Sequence, residues 1–372
     1  MSSEEYVEEV PYAQRPEWSD MQPLELSEGV PVVSIQYFAN HKEQLAYFRA
    51  VMAKGEKSER ALALTADMIH RNQADYTAWE YRWQCLNELG KDMSCEYEFT
   101  DPIMADNAKN YQLWNHRRKC MLAQGSSAAQ RELQVAEDAL RVDEKNYHAW
   151  AHRQAAVQAY GGALWELELA FSGTMISKDV RNNSAWNQRA FAVQHQLREV
   201  AALGDAAASQ RALTELIDRE LQYISAKIEL APRNESVWNY LRGLFLLPGM
   251  PAHAMGLYEQ VYVLCKEALL DAPSCPPALD VMSEYYLHLA CVHAQHLAHL
   301  QHASPPSPAD IDKAKASVQQ AAQSATTLLN HLLISDPIRT MYWNHRQRDL
   351  DTLVASLGLG PDAQPAAAAA MA

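Results

Sequence analysis

NYHAWAHR at Asn146–Arg153 decides the fold, because the chain repeats it. NYQLWNHR stands at Asn110–Arg117, DYTAWEYR at Asp75–Arg82 and NNSAWNQR at Asn182–Arg189, with weaker relatives in NESVWNYL at Asn234–Leu241 and YWNHR at Tyr342–Arg346. The tryptophans Trp79, Trp114, Trp150 and Trp186 are 35, 36 and 36 residues apart, and Trp238 follows 52 later. Self-similarity at this period marks an array in which each unit buries its apolar face only against its neighbours. Ahead of the first frame the apolar residues keep helical spacing, as in Tyr47 and Val51, then Ala61, Leu64 and Met68 after a break at Gly55. No strand-like alternation of any length occurs. The pattern predicts an all-α fold of helical hairpins, each with a tryptophan helix followed by a second helix such as Arg131–Asn146.

The frame has a physical logic. Asp75, Asn110, Asn146, Asn182 and Asn234 stand four residues before their tryptophans, where a short polar side chain caps the free amides of a helix start. Tyr76, Tyr111 and Tyr147 follow the cap, and Arg82, Arg117, Arg153, Arg189 and Arg346 stand three residues after the tryptophan. Tyrosine, tryptophan and arginine therefore share one helix face. The tryptophan column reads as groove fillers between hairpins and the arginine column as ties between neighbouring loops, Trp79, Trp114, Arg82 and Arg117 above all.

The bulk numbers narrow the function. Hydrophobic residues make up 48% of 372, enough for a sizeable core, and the formal charge of −14 argues against a nucleic-acid partner. No apolar run is long enough to span a membrane, and no signal peptide is expected. Six scattered cysteines without a CxxC pair suit free thiols in a reducing cytoplasm, where the protein is expected to reside. Residues 1–30 read as a disordered acidic arm, 31–355 as the hairpin-repeat domain and 356–372 as a disordered alanine-rich tail. GDAAAS at Gly204–Ser209 reads as a lengthened loop that accounts for the 52-residue interval, and QHASPPSPAD at Gln301–Asp310 as a second loop.

One column departs from packing logic. Five residues before the tryptophans stand Lys109, Lys145, Arg181 and Arg233, where the first frame has Ala74. Cations there oppose the helix macrodipole. They read either as solvated loop residues or as an electropositive ridge, backed by free helix amides, that receives a phosphate or diphosphate. Other candidates are weaker. His288, His293, His296, His299 and His302 form a polar helix face without supporting carboxylates. His148 and His152 lack the glutamate of HExxH, and no nucleophile elbow, Walker loop or dinucleotide fingerprint occurs. No metal site is expected in this chain.

At YFRAV (Tyr47–Val51), KSERALALT (Lys57–Thr65), KNYHAWAHRQ (Lys145–Gln154), DVRNNSAWNQR (Asp179–Arg189) and NESVWNYLRG (Asn234–Gly243) the sequence resembles the α subunits shared by protein farnesyltransferase and protein geranylgeranyltransferase type I. The resemblance runs from about residue 30 to 350 and weakens between about 244 and 340. It implies a crescent-shaped, right-handed α/α superhelix that pairs obligately with a β subunit and transfers farnesyl or geranylgeranyl from its diphosphate to the cysteine thiol of a C-terminal CaaX motif. It further implies that the β subunit holds a catalytic Zn2+, that Mg2+ assists farnesyl transfer, and that Lys145 reaches the diphosphate as a catalytic cation. Tyr147, His148, Asn182, Lys109 and Arg181 become substrate-binding candidates, with His148 toward the peptide carboxylate. Arg153, Trp186, Tyr111, Trp150 and Arg189 become structural or interface positions. The α subunit of Rab geranylgeranyltransferase and a non-catalytic helical scaffold are the competing readings. The first lacks its leucine-rich region here, and the second leaves the basic column unexplained.

Overall fold

The structure is a computed structural model that describes residues 10–25, 36–302 and 307–359, and among these every regular element is helical. The chain forms two compact units, 1–162 and 163–372.

The first unit contains α1 (Ala39–Lys54), α2 (Glu59–Arg71), α3 (Tyr76–Glu88), α4 (Met93–Asp106), α5 (Tyr111–Gln124), α6 (Ala129–Val142) and α7 (Tyr147–Tyr160). The second contains α8 (Leu164–Lys178), α9 (Asn183–Ala202), α10 (Ala206–Leu230), α11 (Glu235–Leu244), α12 (Glu259–Asp271), α13 (Pro276–Gln301), α14 (Pro308–Ser335) and α15 (Thr340–Ser356). The closely packed pairs are α2 with α3, α4 with α5, α6 with α7 and α8 with α9. Each hairpin thus ends on its tryptophan helix rather than beginning on it.

The helix boundaries follow from capping chemistry. Asp75, Asn110, Asn146, Asn182 and Asn234 are all N-cap residues whose side-chain oxygens accept amide N–H bonds from the first turn. Gly55 ends α1 at φ 66, a left-handed conformation that glycine adopts without a Cβ penalty. Tyr47, Val51, Ala61, Leu64 and Met68 are all buried, as their spacing predicts.

Two expectations are corrected. GDAAAS does not lengthen a loop: Gly204 closes α9, Asp205 caps α10, and the next residues are helical, so the extra length goes into helices of 20 and 25 residues. Residues 10–25, expected to be a disordered arm, are packed on α1 and α2. Tyr12, Trp18 and Met21 are buried, and Tyr12 and Trp18 each lie about 5.5 Å from the Tyr47 ring. Arg60 of α2 holds the same segment through Asp20 at 2.5 Å. Charge density suggested disorder, but three large apolar groups in a short span offset the cost of ordering it. The remaining residues of the arm, 1–9 and 26–30, and of the tail, 360–372, lie outside the described residues, as do 303–306 of the proline-serine loop.

Candidate site on the cap loops

The frame builds a buried framework first. Each tryptophan donates its indole N–H to the carbonyl six residues earlier, from Trp79 to Gln73, Trp114 to Ala108, Trp150 to Glu144, Trp186 to Val180 and Trp238 to Pro232, at 2.7–2.9 Å. The next cap asparagine then uses the same carbonyl from the other side. Asn110 Nδ2 reaches Gln73 O, Asn146 Nδ2 reaches Ala108 O and Asn234 Nδ2 reaches Val180 O. A single asparagine therefore starts its own helix and fixes the previous loop. At Pro232 the Cys275 thiol takes the asparagine's place, 3.2 Å from the carbonyl.

The arginines do not tie loops, as the frame suggested; they enter the core and meet glutamates. Arg82 forks onto Glu96 (2.5 and 2.9 Å), Arg117 onto Glu132 (3.2 and 2.7 Å) and Arg189 onto Glu220 (2.7 and 2.9 Å). The residue two after each following tryptophan completes the group: His116 on Glu96, His152 on Glu132, Gln188 on Glu168 and Tyr240 on Glu220, at 2.7–2.9 Å. The same residues pack on the preceding indole, with ring centroids 4.9 Å apart for Trp79–His116, 5.1 Å for Trp114–His152 and 5.2 Å for Trp186–Tyr240. Burial raises the pKa of Glu96 and Glu132, but hydrogen bonds and charge from their histidine and arginine partners outweigh it and leave both carboxyls below the ordinary value. Burial lowers the pKa of His116, so its neutral ring donates Nε2–H to Glu96. These glutamates escaped the frame analysis. The signal was present, since a glutamate stands 18 residues before Trp114, Trp150, Trp186 and Trp238 on an otherwise apolar helix face.

Trp150, Trp186, Arg153 and Arg189 are accordingly buried and structural. Asn182, a substrate-binding candidate, is corrected: it is fully buried, and its side-chain oxygen is used by the amides of Ser184 and Ala185. The set of free helix amides behind the basic column is smaller than the frame suggested, since each cap side chain already accepts from one or two of the four at its helix start.

What remains outside the framework is a small set of exposed groups in the first unit. Asp143 accepts the Lys145 backbone N–H at 3.0 Å and the Lys109 ammonium at 2.9 Å, and Lys109 first, then the Lys145 amide, holds its carboxyl below the ordinary value. Lys109 is therefore paired, whereas the exposed Lys145 side chain makes no ion pair or hydrogen bond among the described residues and acts on Asp143 only through longer-range charge. Tyr111 and Tyr147 are 65% and 76% exposed, so the shared face of tyrosine and tryptophan splits into an outer ring and a buried one. Both phenols meet His148 edge-on, at 5.8 and 5.7 Å. In the second unit, Arg181 is likewise exposed, its backbone N–H on Asp179 at 2.8 Å. An exposed ammonium beside amphipathic rings can hold an anion and a partner surface, but it supplies no nucleophile. Among the described residues no three His, Cys, Asp or Glu side chains converge to hold a metal ion, and no helix is long and apolar enough to cross a membrane.

The fold thus defines a tandem helical-hairpin protein that carries exposed cationic and aromatic groups on its cap loops. Residues 58–89, 94–124, 129–160, 165–196 and 217–247 match the protein prenyltransferase alpha subunit repeat, in the same helix pairing seen here. The protein farnesyltransferase/geranylgeranyltransferase type-1 subunit alpha of Schizosaccharomyces pombe is 42% identical over 106 residues, 28% of this chain and 36% of that relative. The match thus spans about a third of the relative's length. The same subunit of Candida albicans is 34% identical over 235 residues, 61% of this chain and 73% of that one. A chain of Candida albicans protein geranylgeranyltransferase-I complexed with GGPP superposes with a TM-score of 0.64 at 25% identity, over 89% of this chain and 98% of that chain. The chain belongs to the family of protein farnesyltransferase/geranylgeranyltransferase type-1 α subunits.

Proposed function

We propose that the chain is the α subunit of a heterodimeric CaaX prenyltransferase and works in the cytoplasm. The β partner and CaaX proteins bind on the cap-loop side, and farnesyl or geranylgeranyl passes from its diphosphate to a cysteine thiol. The observation that carries this reading is the contrast between the paired, buried arginine–glutamate framework and the exposed Lys145 ammonium. That ammonium makes no ion pair among the described residues and stands two residues before exposed Tyr147 and three before half-buried His148, against which exposed Tyr111 packs. Such aromatic groups are those that anchor protein interfaces. In the reaction the thiol sulfur bonds to the isoprenoid carbon, the carbon–oxygen bond to diphosphate breaks, and the thiol proton is lost. Lys145 holds the charge that develops on the departing diphosphate, an effect strongest for a cation fixed in advance. Lys109, held 2.9 Å from Asp143, adds a second cation beside it, and His148 faces the peptide carboxylate. Zn2+ does not fit any group of described residues in this chain and is assigned to the β subunit, with Mg2+ on the diphosphate in farnesyl transfer.

Co-expression with farnesyltransferase and type I geranylgeranyltransferase β subunits, followed by prenyl transfer to a CaaX peptide, tests the reading. Lys145→Ala is expected to lower turnover by about 100-fold or more, the scale for losing one preorganised electrostatic contact, with heterodimer yield unchanged. Normal turnover by Lys145→Ala together with a loss in Lys109→Ala would move the role to Lys109. Failure of the wild-type chain to bind either β subunit, with binding to a Rab geranylgeranyltransferase β subunit instead, would favour that relative.

A further inference from the structure

A second surface uses none of the cap-loop residues. In the second unit, α10 and α12 enclose an open groove of about 630 Å3. Its apolar lining is Val263, 41% exposed, together with the largely buried Leu221 and Leu264. Its charged lining is entirely acidic, with Asp218 on α10 and Glu259 and Glu267 on α12, and none of the three makes an ion pair among the described residues. The nearest cations on these helices are turned elsewhere. Arg219 bonds Glu220 at 3.0 Å, Lys227 reaches Ser177 at 3.3 Å and Lys266 lies over the Tyr262 ring. The buried framework leaves this groove unused, since Glu220 of the same helix turns inward to Arg189 and Tyr240.

We infer that the α10–α12 groove docks a basic amphipathic helix of another protein. An apolar floor between two helices takes the apolar stripe of a third, and the rim charge sets its identity. Glu259 and Glu267 are two turns apart, about 12 Å along the helix axis, so the docked helix carries Lys or Arg at matching two-turn spacing. The occupant is not another part of this chain: residues 1–9, 26–35, 303–306 and 360–372, the segments outside the described residues, contain no lysine or arginine. The inference does not rest on the proposed transferase role, because it uses none of the cap-loop residues.

The test uses the full chain, in its heterodimer if one forms, and a fluorescent Leu/Lys amphipathic peptide as probe. Binding is expected to weaken with salt and to fall about tenfold or more in Asp218→Asn/Glu259→Gln/Glu267→Gln, as interfacial charge pairs are lost. The control Glu137→Gln/Asp138→Asn, on α6, is expected to leave it unchanged. Hydrogen exchange with the peptide bound is expected to protect α10 and α12. Equal binding by the triple variant, equal loss in the α6 control, protection elsewhere, or equal binding of a Leu/Glu peptide would each overturn the assignment.

Discussion

Glu132 in the first unit and Glu220 in the second occupy the same place in the repeat, yet they complete it with different chemistry. Glu132 takes Arg117 and His152, whereas Glu220 takes Arg189 and Tyr240, and Glu168 takes the amide of Gln188. The arginine and the glutamate stay fixed while the third partner needs only a donor that fills the space on the preceding indole. A buried carboxylate with unpaired lone pairs is costly, so the position two after the tryptophan is constrained by hydrogen bonding rather than by residue type. The consequence is electrostatic. The third partner of Glu96 is His116, whose pKa burial lowers, whereas the third partner of Glu220 is Tyr240, whose hydroxyl burial drives well above its ordinary value.

The comparison breaks most readily at the glutamates. Glu132→Ala leaves the fully buried Arg117 with only Asp101 and Thr100 and leaves His152 without its carboxylate. It should cost about 3 kcal/mol in urea unfolding, the low end of the range for removing one partner of a buried pair, because Asp101 remains. Glu220→Ala should cost a similar amount, and a loss below about 1 kcal/mol would mean that the two sites are not equivalent. Next in size is Asn110→Ala, which removes both a helix cap and the bond to Gln73 O. About 2 kcal/mol is expected from these two contributions, and an effect no larger than that of capping alone would detach the cap from repeat stacking.

A smaller effect separates the units by pH. His116 is held neutral with a pKa below its ordinary 6.5, so its contribution is complete above 6.5 and erodes as the pH falls below it, when the unfolded chain takes up the proton first. Glu96 is held below its ordinary 4.5, so the stability it adds is present above that value and is lost as the pH falls through the lower folded one. Amide exchange should therefore show α5 losing protection on mild acidification before α11. His116→Gln, which installs the group that Gln188 already provides, should remove the difference; persistence of the early loss would clear His116 of responsibility. Smallest of all is Tyr147→Ala, expected to change stability by less than about 0.5 kcal/mol, as for an exposed side chain, while weakening capture of the β subunit.

The sequence by itself determined the class of fold, the helix starts and the family. Capping is local chemistry, so Asp75 and the four asparagines could be placed from their spacing to the tryptophans, and repetition made the arrangement readable. Tertiary structure decided what that spacing left open. It sent the arginines inward, because only packing brings a glutamate from the neighbouring helix within reach. It pinned Lys109 to Asp143, 34 residues on, and left Lys145 unpaired, since which of two equivalent loop cations meets a carboxylate depends on how consecutive loops stack. It ordered residues 10–25 around Tyr47 and absorbed an insertion into α9 and α10. Each of these outcomes depends on groups distant in sequence, and a one-dimensional pattern carries no distances between them.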